Sequence, residues 1–206
     1  MMFRVSPAIR RAIVSVLALG TLLMLSGCYL PDRFQLNMNI DKSGKYAFIY
    51  EGDLIAFNFL RKIGQGEVRA DDKEEIAVYV QDLERDSAFE EVTYLGNARY
   101  RVKYKRQSNI LEHPSFSFVR RNAAFMMLKR GEDGLIQVEG DKPNKRYRDE
   151  LKAKGYNIRG VVRVWTNARV LDHNAEQVIQ GNPTQYVWDI QSFEQPTPKM
   201  TLVPEG

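Results

Sequence analysis

Three side chains in these 206 residues invite covalent or metal chemistry: the single cysteine, Cys28, and two histidines, His113 and His173. Neither histidine has a second histidine or a cysteine near it, and no thiol follows Cys28, so the clustered N and S ligands of a zinc site are missing. His113 precedes Pro114, and His173 follows Asp172 in a turn-like stretch, positions that favour solvent-facing rings over a general base. No Gly-x-Ser-x-Gly nucleophile elbow occurs. Gly64-Gln65-Gly66 lacks the further glycine and the lysine of a phosphate-binding loop and reads as a turn. The carboxylate pairs Asp71-Asp72, Glu74-Glu75, Glu90-Glu91 and Glu132-Asp133 fall at helix starts and turns, where the helix dipole and turn chemistry already account for them. Glu132-Asp133-Gly134 lacks the alternating oxygen ligands of a calcium loop. These residues predict a protein that is not an enzyme and that holds no metal and no cofactor.

Cys28 sits in a different setting. Met1 to Arg11 carries Arg4, Arg10 and Arg11 and no acid, and Ala12 to Leu25 is apolar apart from Ser15, Gly20 and Thr21. That is the charged region and apolar core of an export signal. About fourteen residues at 1.5 Å rise make a helix of roughly 21 Å, short of the roughly 30 Å hydrocarbon core of a bilayer. Leu25-Ser26-Gly27-Cys28 follows, and it resembles the lipobox of bacterial lipoproteins. Small residues at 26 and 27 let a peptidase reach the backbone, and the Cys28 thiol supplies a nucleophile to be alkylated.

The resemblance implies a diacylglycerol thioether at Cys28, cleavage after Gly27 and acylation of the new amino terminus by palmitate or a similar acyl group. The expected organisation is a signal peptide over residues 1–27, a lipidated anchor and tether over 28–33, and one envelope domain over 34–206. Each buried methylene contributes about 0.8 kcal/mol, so two or three chains suffice to anchor a body that does not itself span the bilayer. Tyr29 is not the aspartate that resembles an inner-membrane retention signal. In a Gram-negative cell the expected location is therefore the periplasmic face of the outer membrane.

The charge balance narrows the partners. The 30 basic and 26 acidic side chains give a formal charge of +4, but without the three leader arginines the excess falls to +1. Nucleic-acid binding needs a phosphate-neutralising excess that this chain does not keep, so no nucleic-acid partner is expected.

The elements that must position any site follow from periodicity. Phe34, Leu36, Met38 and Ile40 alternate with polar residues, Asp41-Lys42-Ser43-Gly44 is turn chemistry, and Tyr46, Phe48 and Tyr50 resume the alternation. Residues 34–52 are thus a predicted β-hairpin. Ile55, Phe59 and Ile63 recur four apart, predicting a short helix stopped by Gly64; Asp71-Asp72 opens a second, running to about Asp86 with Ile76, Val80 and Leu83 on one face. Strands are expected again at Tyr94, at Tyr100 to Tyr104 after an Asn97 turn, at 115–119, 124–129 and 135–139, the middle of the chain forming a meander. Asp141 to Lys154, with Pro143 near its start and Gly155 at its end, predicts a third helix. Val161 to Trp165 and Gln185 to Ile190, with short strands between and after them, complete the chain. Strands dominate without strand–helix alternation, so the fold class is α+β: a largely antiparallel β-sheet with two or three helices in a single domain.

The most informative surface feature is the strand from Arg99 to Lys105. Side chains alternate across a sheet, so Arg99, Arg101, Lys103 and Lys105 share one face while Tyr100, Val102 and Tyr104 enter the core. Four like charges on one face repel unless acid lies opposite. That acid is either a neighbouring strand's carboxylates or the phosphates of an anionic lipid or glycolipid, with Arg120 and Arg121 as extensions of such a patch. Trp165 and Trp188 read as sheet packing.

The segments Gly160 to Ala168 and Tyr186 to Ile190 resemble the closing hairpin of the LppM-like bacterial lipoprotein domain. With the hairpin just after Cys28, the resemblance would cover most of the mature chain. It implies an envelope domain without a catalytic set, and lipid or glycolipid binding as a family-level role. The sequence therefore predicts a lipid-anchored envelope domain that binds a lipid, glycolipid or envelope-protein partner through the basic sheet face. The alternative is a structural or assembly factor for another envelope complex.

Overall fold

The computed structural model describes residues 29–120 and 123–205, so Cys28, the leader and Arg121 lie outside the described residues. Twelve strands and three helices are described. In chain order they are β1 (Tyr29–Ile40), β2 (Lys45–Ala56), α1 (Phe57–Gln65), α2 (Lys73–Glu84), β3 (Phe89–Gly96), β4 (Arg99–Asn109), β5 (Ser115–Arg120), β6 (Ala123–Arg130), β7 (Ile136–Gly140), α3 (Lys145–Ala153), β8 (Gly160–Thr166), β9 (Arg169–His173), β10 (Gln177–Ile179), β11 (Thr184–Ile190) and β12 (Lys199–Val203). The fold is α+β and mainly β, as composition and periodicity predict.

The strands form two sheets. The larger has the order β10-β11-β8-β1-β2-β4-β3, the smaller β5-β6-β7-β12-β9. β1 and β8 run parallel, and every other described pairing is antiparallel. The expected meander is β5-β6-β7, which joins β12 and β9 in the smaller sheet rather than extending the first. The sheets meet through aromatic rings: Phe34 against Phe125, Phe48 against Phe116 and Phe118, and Tyr50 and Tyr104 against Phe118, with centroids 4.7–5.1 Å apart. Such offset and tilted pairs add to the burial term that dominates stability. The rest of the same sheet face is covered by α1 and α2, where Phe59 stacks on Tyr79 and Tyr29 meets Tyr79 edge-on.

Several element boundaries differ from those that periodicity predicts. Residues 29–33 are not a tether: they are the first part of β1, with Tyr29, Leu30 and Asp32 buried, because a bulge between Asp32 and Gln35 lets the strand continue past its alternating part. Ile55 belongs to β2. α1 ends at Gly66, whose φ of 74° closes the helix, and not at Gly64. α2 is capped as expected by the Asp72 side chain accepting from the Glu75 amide, but the residues it buries are Tyr79 and Leu83, with Ile76 and Val80 only partly covered. α3 is capped by Asn144 rather than Asp141. Trp188 is buried and donates from its indole nitrogen to Asn174, whereas Trp165 lies half-buried on the opposite face of the large sheet.

The tyrosines of this core make a pH prediction. Burial, with the nearby Glu75 and Asp82 carboxylates, raises the Tyr79 phenol to about 12. Burial also pushes Tyr50, Tyr100 and Tyr104 upward from 10.0, helped by Asp53 at Tyr50, by the neighbouring tyrosines at Tyr100 and by Asp86 at Tyr104. Their folded values exceed the unfolded one, so their contribution to stability is complete below about pH 10 and is lost as pH rises beyond it. In an alkaline titration, phenolate absorbance and far-UV circular dichroism are expected to change together, in one cooperative step above that pH. Independent ionisation of these tyrosines near 10 with the fold intact would contradict it.

Candidate functional site

The basic strand is placed as expected. Tyr100, Val102 and Tyr104 are buried, and Arg99, Arg101, Lys103 and Lys105 share the other face. What lies opposite decides their role. Register places Asp53 beside Arg101 and Glu51 beside Lys103 on β2, Glu91 beside Lys103 on β3, and Asp32 across from Asp53 on β1. Arg99 bridges two carboxylates, its Nη1 lying 2.7 Å from Asp32 Oδ2 and 3.1 Å from Asp53 Oδ2. Arg101 Nε donates to the other Asp53 oxygen, and Lys103 Nζ lies 2.8 Å from Glu91.

Asp53 has no solvent exposure in its side chain and that of Asp32 has 5%, while that of Arg99 keeps 18%. Burial works against the Arg99 charge, but its bonds to the two aspartates outweigh this and raise its pKa. Three of the four basic side chains are thus engaged by this protein's own carboxylates. Lys105, opposite Ile49, has no carboxylate partner among the described residues. Of the suggested extensions, Arg120 ends β5 in the smaller sheet, and Arg121 lies outside the described residues. The arrangement can hold three strands together at the β1 bulge. As a receptor for anionic headgroups it is already largely neutralised.

The histidines do not meet a catalytic set. His113 is exposed in the turn after β4, and His173 ends β9, accepting at Nδ1 from the Ala175 amide and standing edge-on to Tyr186 at 4.9 Å. Among the described residues no three of His, Cys, Asp or Glu gather in a way that would hold a metal ion. No helix among them is long and apolar enough to cross a membrane.

The site that periodicity does not reveal is a cavity of about 250 Å³ at the end of the molecule where β1 begins. Its walls are Tyr29, Leu30 and Pro31 from β1, Phe57 from the start of α1, Phe125 from β6, Tyr147 and Leu151 from α3, and Ile158 and Phe193 from the segments flanking β8 and β11. Asp141, Lys142, Pro143 and Asn144 form the remaining side. The polar groups there have partners: Lys142 Nζ donates to the Gln195 carbonyl at 3.1 Å, Asp141 accepts from the Lys142 amide, and Asn144 caps α3. A second hollow, about 590 Å³, lies at the opposite end between Asn39, Lys45, Gln107 and Glu112, but its lining is mixed, with polar side chains set among Tyr46 and Ala47. The first is the one whose lining suits an apolar ligand, and it is somewhat smaller than the roughly 300–1,000 Å³ of pockets for drug-sized ligands. No spacing signal marks it, because its walls come from six separate parts of the chain.

No family model matches this chain, and no curated protein is significantly similar to it. Among solved structures, the folded domain of the Mycobacterium tuberculosis LppM protein aligns over 87% of this chain and 92% of its own length, at 12% identity and a TM-score of 0.40. That is a weak likeness of fold.

Proposed function

We propose that this chain is a non-catalytic bacterial envelope protein, held at a membrane by acyl groups on Cys28, whose domain receives a single alkyl chain of a lipid or glycolipid in the cavity beside Tyr29. In a Gram-negative cell the membrane is the outer one, at its periplasmic face. The observation that carries this reading is the cavity itself: hydrocarbon and aromatic walls drawn from both sheets and two helices, at the end of the domain that leaves residue 28. A volume near 250 Å³ takes part of one alkyl chain and not a whole lipid. The headgroup would then stay outside, near Lys142 and Asn144.

The test is native mass spectrometry of the protein extracted from its own envelope, beside a variant with Ile158→Phe, which narrows the cavity without adding a polar atom. A bound or covalently attached lipid species is expected on the parent, with the cavity-bound fraction lost in the variant while its thermal unfolding stays cooperative. Lipid retained equally by both would place the binding elsewhere.

A second reading, a structural or assembly factor for another envelope protein, is favoured by the edge strands. β9 and β10 end their respective sheets and expose Leu171 (50%), Val178 (36%) and Ile179 (52%). Unpaired edges carrying apolar side chains are where a partner strand can add. Crosslinking in intact cells distinguishes the two, because this reading requires a protein joined to β9 or β10.

A further inference from the structure

The cavity wall starts at the residue that follows the proposed anchor in the chain, and we infer that the alkyl chain occupying the cavity is one of those carried by Cys28 itself. This rests on the anchoring proposed above and identifies the ligand of the same site. The first described residue, Tyr29, is a wall of the cavity, and Leu30 and Pro31 continue that wall. Consecutive Cα atoms stand about 3.8 Å apart, so the backbone of residue 28 is one such step from the Tyr29 wall.

The chemistry of the lining selects the occupant. Tyr29, Leu30, Phe57, Leu151, Ile158 and Phe193 line the cavity with hydrocarbon and aromatic rings, and a lining of that kind gains by contact with hydrocarbon. The buried side-chain polar atoms without a partner belong to Asp32, Tyr79, Tyr100, Arg148 and Asn157, none of which lines the cavity, so no unsatisfied group there awaits a polar ligand. The apolar run of residues 12–25 does not fit as a helix: one is roughly 10–12 Å across with its side chains, too wide for a space of this size. An acyl chain has the width and the chemistry, and the one bonded to residue 28 is present at the highest local concentration.

The arrangement has a consequence for anchoring. Each chain stored in the cavity is one fewer in the bilayer, so the domain can lie close against the membrane on its remaining chains. Exchange of the stored chain for a membrane lipid would return it to the bilayer.

The experiment uses the full chain expressed in a bacterial host fed a palmitate analogue bearing a diazirine, then irradiated in its own membranes. Mass spectrometry maps where the acyl group on residue 28 attaches. The expected result is intramolecular attachment to α3, Ile158 or Phe193, lost in Ile158→Trp and, as an independent block on the opposite wall, in Leu30→Trp. Attachment of the anchored label to bulk lipid alone would overturn the inference while leaving the anchor intact. Cavity residues labelled by a diazirine phospholipid added to the membranes, and not by the anchor, would also overturn it and leave the proposed function standing. Absence of label on residue 28 would remove the anchor and this inference together.

Discussion

Replacing Arg99 with methionine is expected to lower the unfolding free energy by about 3–5 kcal/mol, the cost of breaking a buried ion pair by removing one partner. The guanidinium stands between Asp32 and Asp53, which face each other across β1 and β2 with side chains that are 5% and 0% exposed. Like charges directly opposite on a sheet destabilise it, and among the described residues the pair without Arg99 keeps Arg101 and the exposed Arg33, 3.7 Å from Asp32. For a domain of this size the loss corresponds to a fall in Tm of roughly 10 °C. One further readout identifies the mechanism. Adding Asp53→Asn to Arg99→Met should restore part of the stability, because one of the facing charges is gone. If Arg99→Met melts like the parent at neutral pH, the strand is not held by these charges and its arginines are available to a ligand.

Gly52→Ala is expected to cost about 3 kcal/mol, at the upper end of overpacking penalties, because the obstacle is backbone. A Cβ at residue 52 would stand 2.4 Å from the Phe34 Cβ and 2.6 Å from its Cα. The bulge at Arg33, with φ of 49°, sets Phe34 directly over Gly52, and on the other neighbouring strand Gly160 lies in register with Phe34. A Cβ at Gly160 would meet the Phe34 ring at 2.5 Å. The ring so placed stacks on Tyr50 and reaches Phe125 of the second sheet. Two glycines on flanking strands thus make room for one aromatic that joins the sheets. Phe34→Ala should itself cost about 3–5 kcal/mol, yet the double variant with Gly52→Ala should lose less than the two penalties added, since the collision disappears with the ring. Additive losses in chemical denaturation would show that Phe34 does not set the demand for glycine.

His113, Gly66, Glu132-Asp133 and the Asp71-Asp72 and Glu74-Glu75 pairs were legible as turn and helix-end residues because such roles depend on immediate neighbours, whereas Glu90-Glu91 lies inside β3, His173 ends β9 and Gly64 is helical, against that expectation. The Asn97 turn, with positive φ at Asn97 and Ala98, and the Asp72 cap were legible for the same reason. The strand boundaries at 29–33 and at Ile55 were not, since a bulge changes the face that each later side chain occupies and no alternating pattern announces it. The basic strand shows the division most clearly. Its alternation told which residues share a face, but the carboxylates that neutralise it arrive from Asp53, 46 residues before Arg99, and from Asp32, 67 residues before it.

By itself, then, the sequence determined the strand-rich α+β class, the turns, the buried side of β4 and the candidate anchor motif at Cys28, all of which rest on residue type at short spacing. Only the tertiary structure decided that the chain divides into two sheets, that three of the four cations on the polar face of β4 are held internally, and that an apolar cavity opens beside Tyr29. Sheet order and register are set by which long-range pairings bury the most apolar surface with every backbone group satisfied, and that competition involves the whole chain at once.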